Sequence, residues 1–358
     1  MTAPAAPGPD AIATVLLTTR LAMPSSAAGS PRPLGPTAYA SLRERLAERG
    51  IAPSALIGMN GDHIASMLDL DPDRAGNLAS LLARAGQVSL AVDRLAARGI
   101  WFLDQASPAY PRALVARLGS GAPPVLFGSG DVASLAKDGL AIVGSRDVDE
   151  TLSGVAGQIA KTAARGRLGV VSGGAKGVDA SATSAALGTG GTCIAVVADS
   201  LERRLREPAV RQAVANGQLV LLCPYGPSVP FSRGFAMGRN KLIYCLSVAA
   251  VVVCSTKERG GTWAGAIEAL DQGWVPVFAW TGEGAVPGNR ALVERGARPM
   301  DEVSVERLRS VVGRPENSRA PAASAVDVGG TRQETLFGEE EPLATGHQHR
   351  KRGPRRTR

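Results

Sequence analysis

Six short apolar runs, each four to seven residues long, recur through the second half of the chain: Leu140–Val143, Leu168–Val171, Cys193–Val197, Leu219–Leu222, Val248–Cys254 and Pro276–Trp280. They are β-rich, and the stretches between them are long enough to hold helices. A strand without polar alternation is buried on both faces, and strands joined through helices run parallel. The pattern therefore predicts an α/β fold, a parallel sheet with helices on both sides.

The flanks differ in character. Residues 1–36 are rich in Pro, Ala, Gly and Ser, a composition that buries little surface and predicts a disordered lead. From Thr37 the pattern turns helical, with stretches Thr37–Arg49, Pro72–Ala85 and Val88–Arg98 that end at Gly50, Gly86 and Gly99. Asp71 before Pro72 reads as an N-cap with proline at the first helical position, and Ala75, Leu78, Ala79 and Leu82 share a face. A small helical domain is expected over 37–105. Residues 100–130, with Tyr110, Pro111, Pro123 and Pro124, read as a linker into the sheet domain, which runs over 106–312. From Gly313 to the end, periodicity is lost, and 313–358 is expected to be a disordered basic tail with an acidic patch at Glu339–Glu341.

Composition excludes several function classes. The longest apolar run, Leu242–Cys254, has 13 residues, short of the ~20 that cross a bilayer. With no secretory signal pattern at the start, a cytoplasmic protein without a membrane segment is expected. Cys193, Cys223, Cys245 and Cys254 stand singly in apolar runs, and with three histidines the chain offers no metal or disulfide framework. They read as buried thiols. The net charge is +8, but the last nine residues hold six basic side chains and no acid. The remaining chain is nearly neutral, so an anion site in the folded part must be local.

Ligands of open α/β sheets bind beyond the carboxyl ends of the strands. After the first run, Gly144-Ser145-Arg146 places a guanidinium there. After the second, Ser172-Gly173-Gly174-Ala175-Lys176-Gly177-Val178-Asp179 joins a glycine-rich turn to a helix start, where backbone N–H groups and the helix dipole can hold a phosphate beside Lys176. Such a turn also serves tight packing, and its spacing is neither a dinucleotide fingerprint nor a P-loop. Arg239-Asn240-Lys241 adds two cations and an Asn able to brace a loop. Asp179, in the first turn of its helix, suits dipole stabilisation better than catalysis.

At these residues the chain resembles the DprA/Smf family of DNA-processing proteins. The likeness runs from about Leu34 to Val312. It includes Tyr110-Pro111, Pro123-Pro124-Val125-Leu126-Phe127-x-x-Gly130, Val143-Gly144-Ser145-Arg146, Ser172-Gly173-x-Ala175-Lys176-Gly177-Val178-Asp179, Gly190-Gly191-Thr192, Arg239-Asn240-Lys241-x-Ile243 and Gly296-Ala297 in the family's order. The resemblance implies a SAM/HhH-like helical domain before a Rossmann-like domain. It also implies binding of single-stranded DNA as a homodimer, and delivery of that DNA to the RecA recombinase in transformation or recombination. Departures are Thr183 for the family's His, Leu221-Leu222 for its Ser-Glu, and Arg259-Gly260-Gly261-Thr262-Trp263-Ala264-Gly265 in place of its Ser-Gly-Ser-Leu-x-Thr-Ala, so this is a divergent member. No winged-helix candidate follows Val312.

The expected DNA-phosphate site comprises Arg146, Ser172, Gly173, Gly174, Lys176, Arg239, Asn240 and Lys241, with no catalytic residue, metal or cofactor. Aromatic residues make up only 4% of the chain, and Phe235 and Trp263 are the candidates for base stacking or for the core. The alternative is an enzyme like the LOG-type nucleotide phosphoribohydrolases, loosely echoed by Gly260-Gly261-Thr262 followed by Glu268. In the tail, Gln333-Glu334-Thr335-Leu336-Phe337 resembles the peptide by which bacterial repair proteins dock on the DNA polymerase sliding clamp. Gln333, Leu336 and Phe337 are its candidate contacts, unless the pair folds back onto its own domain.

Overall fold

The computed structural model describes residues 2–23, 30–304 and 308. It opens with five helices, α1 (Pro9–Thr18), α2 (Pro36–Glu48), α3 (Gly61–Leu68), α4 (Pro72–Leu82) and α5 (Ala85–Ala96). Strand β1 (Ile100–Asp104), helix α6 (Arg112–Leu118) and strand β2 (Val125–Ser129) follow. Then come β3 (Gly139–Gly144), α7 (Glu150–Arg165), β4 (Gly169–Ser172), α8 (Val178–Gly188), β5 (Cys193–Val196), α9 (Leu201–Arg204), α10 (Pro208–Ala215) and β6 (Leu219–Cys223). The chain continues with α11 (Arg233–Cys245), β7 (Ala249–Cys254), α12 (Gly260–Gln272), β8 (Val277–Trp280), α13 (Pro287–Glu294) and β9 (Arg298–Met300).

All strands of the described residues join one nine-stranded sheet in the order β1-β2-β6-β5-β4-β3-β7-β8-β9. The six expected apolar runs are β3 to β8, mutually parallel. Their near-continuous apolar text has a direct cause. In β3, Leu140 and Ile142 enter one core beside α7 and α8, while Ala141 and Val143 enter the other beside α11 and α12. Both faces are covered, so no polar alternation survives.

Three expectations are corrected. Residues 100–130 are no linker: β1 pairs antiparallel with β2, and β2 pairs antiparallel with β6, making the sheet mixed. Trp101 lies over Gly128, where any side chain would collide with its ring, and its indole N–H donates to the Gly130 carbonyl at 2.9 Å. Tyr110 donates its hydroxyl to the Pro123 carbonyl at 2.7 Å, pinning the approach to β2. A boundary at 105/106 therefore cuts between two strands of one sheet. Residues 9–18 are also not a disordered lead. They form α1, with Ala13, Val15, Leu16 and Leu17 fully buried.

Proline at the first turn starts α1 without loss of a helical bond, and its short apolar stretch finds a shared core with α4, α5 and the sheet. The reading of Gly86 as a helix stop is corrected for a related reason. The break lies at Ala83–Arg84, and Gly86 sits inside α5. Arg84 is buried there, donating to the carbonyls of Leu81 at 3.0 Å, Leu21 at 2.8 Å and Leu16. Arg84 thereby caps the end of α1. The Asp71 N-cap is present and accepts from Arg74 N–H at 2.8 Å. All four cysteines are free and buried, with burial raising the thiol of Cys193 to about 12 and that of Cys223 to about 11.

Candidate nucleic-acid interface

From β3 the chain winds one way through β4, β5 and β6, while β7 lies on the other side of β3. This is the topological switch point of the sheet, and it opens a crevice at the carboxyl ends of the two strands. The larger cavity, about 560 Å³, is lined by Gly144, Ser145 and Arg146 after β3, by Cys254 and Ser255 at the end of β7, and by facing residues of α11 and α12. A smaller one of about 220 Å³ adjoins it, with Gly173, Lys176 and Asp199 in its wall. Arg146 and Arg239 line both.

The backbone around the switch point is held by close approaches that exclude side chains. Ser145 N–H donates to the Cys254 carbonyl at 2.9 Å, joining the two strand ends. A side chain at Gly144 would collide with Val178, and one at Gly177, which has φ +76°, would collide with the Ser145 carbonyl. These glycines press the loop after β3 against the start of α8.

Arg239 is carried inward by α11 and is 5% exposed. Its Nε and Nη1 find no acceptor among the described residues. Asp179, 7% exposed in the first turn of α8, accepts from Ala175 N–H at 3.3 Å. Burial raises the Asp179 carboxyl and lowers the Arg239 guanidinium, and each charge partly offsets the effect on the other. Arg239 thus keeps unspent donors beside a cavity, a condition that an incoming anion would satisfy.

Among the residues singled out in the sequence, Arg146, Gly173, Lys176, Arg239 and Asn240 reach the two cavities. Arg146 and Lys176 are exposed at the rim. Asn240 Nδ2 donates to the Gly261 carbonyl at 3.0 Å and braces the first turn of α12. Three residues stand elsewhere. Ser172 is buried and donates its hydroxyl to the Ile142 carbonyl at 3.0 Å, which fixes the end of β4. Gly174, with φ +61°, makes the left-handed turn but lines neither cavity. Lys241 Nζ lies 3.9 Å from Glu268 Oε1 on α12, outside the lining of both cavities. The same contact occupies the glutamate on which the hydrolase alternative depends.

Of the two candidate rings, Trp263 lines the larger cavity, partly buried against the core, and Phe235 does not reach it. Phe235 stacks on Tyr225 with ring centroids 4.2 Å apart. The exposed ring is Phe231, 46% accessible, with the Arg146 guanidinium 5.1 Å above its centroid. Met237, Arg233 and Arg259 also line the larger cavity. Ser232 supplies the available signal for Phe231. It N-caps α11, accepting from Phe235 N–H at 3.0 Å, and so places the preceding residue at the mouth of the crevice. Among the described residues no cluster of His, Cys, Asp and Glu is placed to hold a metal ion, and no helix is long and apolar enough to cross a membrane. Gln333, Leu336 and Phe337 lie outside the described residues.

Residues 101–308 match the family of DNA recombination-mediator protein A. Over 195 residues the chain is 30% identical to the DNA processing protein DprA of Streptococcus pneumoniae, a match covering 49% of this chain and 63% of that protein. The chain thus spans less than two thirds of that relative's length. The X-ray structure of DNA processing protein A from Streptococcus pneumoniae superposes with TM-score 0.57 at 22% identity, covering 77% of this chain and 98% of the other. DNA processing protein A from Helicobacter pylori, described for its single-stranded DNA binding mode, superposes with TM-score 0.50 at 23% identity, covering 59% and 96%. These structures share the fold. With the matched segment running from β1 past β9, the chain belongs to the DNA recombination-mediator protein A family.

Proposed function

We propose that this chain binds single-stranded DNA in the crevice at the ends of β3 and β7, without reading its sequence and without a catalytic step. The observation that carries this reading is Arg239, buried with two unanswered donors beside the cavities and flanked by Arg146 and Lys176. The Gly173 turn, whose Gly173 and Ala175 N–H groups go to Asp179, sets the shape of the crevice wall at the start of α8. Phosphate contacts of this kind position a strand regardless of sequence. Phe231 offers an exposed ring on which a base can stack, and single strands alone present free base faces. Asp179, the buried acid of the crevice, stands near Arg239 at Gly173, and its charge partly offsets the burial of the guanidinium. The relative from Helicobacter pylori, with its single-stranded DNA binding mode, supports the same ligand.

In this reading the protein acts in the cytosol as a homodimer and passes the strand to RecA in transformation or recombination. The segment Gln333–Phe337 docks on the sliding clamp. A gel titration with single- and double-stranded oligonucleotides of equal length tests the core of the proposal. Preferential single-strand binding, weakened by Arg146→Ala and by Arg239→Ala, is expected. Unchanged affinity in both variants removes the crevice as the site.

A further inference from the structure

The inner wall of the larger cavity carries more hydrogen-bonding capacity than a passing strand uses. Ser255, 2% exposed at the end of β7, has a hydroxyl without a partner, and so does Tyr244, 1% exposed on α11. Both residues line the cavity, together with Arg239 and its unanswered Nε and Nη1. Buried donors in native proteins are normally satisfied. Three residues with unsatisfied groups around one cavity leave it hydrogen-bonding capacity for a ligand.

Helix α12 enters the same cavity by its N-terminus. Its N-cap residue, Arg259, makes no side-chain cap, and no acidic residue stands in the first turn. Gly261, Thr262 and Trp263 line the cavity, so the free N–H groups of a 13-residue helix open onto it. The bond from Asn240 to the Gly261 carbonyl holds this turn in place.

Charge narrows the ligand. Four guanidinium groups of the lining, Arg146, Arg233, Arg239 and Arg259, stand against two carboxylates, Asp179 and Glu258. The two positive charges left over match a phosphomonoester, which carries close to two negative charges at neutral pH. A phosphodiester carries one. It also offers two non-bridging oxygens where a monoester offers three to the same donors. We propose that the α12 end of the crevice is a phosphomonoester pocket. Its phosphate sits on the first-turn amides of α12 with Ser255 and Arg259, and its nucleoside lies against Trp263. No bond is made or broken. The monoester comes from the phosphorylated end of a DNA strand or from a free nucleotide, and a cavity of about 560 Å³ has room for a mononucleotide. Only the strand-end source rests on the reading of the crevice as a DNA interface.

Calorimetric titration of the full chain with thymidine 5′-monophosphate, inorganic phosphate and thymidine tests the pocket. The two phosphates are expected to bind and thymidine is not. Ser255→Ala and Arg259→Ala should each weaken nucleotide binding about tenfold. Ser255→Ala should leave thermal stability unchanged, because its hydroxyl has no partner among the described residues. An oligothymidylate bound more tightly with a 5′-phosphate than without one identifies the strand end as the source. Equal affinity of the two oligomers, with the nucleotide still bound, identifies the free nucleotide. Absence of binding by both phosphates at millimolar concentration, or undiminished binding in both variants, overturns the pocket. If the unphosphorylated oligomer still binds in that case, the strand interface stands without it.

Discussion

Arg239 and Asp179 converge from α11 and α8 on the Cα atom of Gly173: a methyl group there would overlap Arg239 Nη1 and lie 2.6 Å from Asp179 Oδ2. The glycine therefore makes room for a buried guanidinium that faces a carboxylate on one side and the cavities on the other. Gly173→Ala should push Arg239 out of this position. Single-strand affinity should fall about as far as in Arg239→Ala, and each variant should lower the slope of log affinity against log salt by roughly 0.7, the value for one phosphate contact on a single strand. Affinities measured across a salt series check this, and an unchanged slope in both variants contradicts it.

Phe231 makes the complementary prediction. An exposed ring that stacks on a base contributes about 1–3 kcal/mol per base without counterion release. Phe231→Ala should therefore weaken binding to single strands while leaving the salt slope as it was. Loss of slope instead would mean that the substitution disturbs Arg146, whose guanidinium rests over the ring.

Arg84 bears on stability rather than binding. Its guanidinium collects the carbonyls of Leu16, Leu21 and Leu81, and burial lowers its pKa from the ordinary value. Arg84→Met keeps most of the volume but leaves these buried acceptors unpaired, at a cost of about 1–3 kcal/mol. A lower midpoint in urea with unchanged single-strand affinity is the expected result. No loss of stability would show that water replaces the guanidinium.

The tail is tested separately. A peptide spanning Thr331–Glu341 should bind purified sliding clamp with micromolar affinity, and replacing Leu336 and Phe337 together by Ala should abolish binding. Fluorescence polarisation checks it. Failure at high clamp concentration ends the docking proposal and leaves the crevice untouched.

Much of this architecture was legible residue by residue. The strands β3 to β8 announced themselves because a parallel strand covered on both faces carries apolar residues at every position, a local property of the text. Asp71 and Pro72 marked the start of α4 for an equally local reason, a side-chain oxygen accepting from the backbone three residues on. The anion character of the strand ends could also be read, because Arg146, Lys176 and Arg239 follow their runs in sequence.

Other features depended on contacts between distant segments. α1 read as part of a disordered, proline-rich lead, and it is ordered because Arg84, far along the chain, donates to the Leu16 carbonyl in its last turn and to the Leu21 carbonyl beyond it while the sheet buries its apolar face. β1 and β2 hid in an apparent linker because their place in the sheet depends on pairing with each other across α6 and with the distant β6. Lys241 stands two residues from Arg239, yet helical geometry turns it to Glu268 while Arg239 enters the crevice. The identity of β3 to β8 and the supply of cations were thus determined by local pattern alone. Which cations are buried, which ring is exposed and which donors are left unpaired were decided by the tertiary structure, because burial and pairing are properties of neighbours that the chain brings together only on folding.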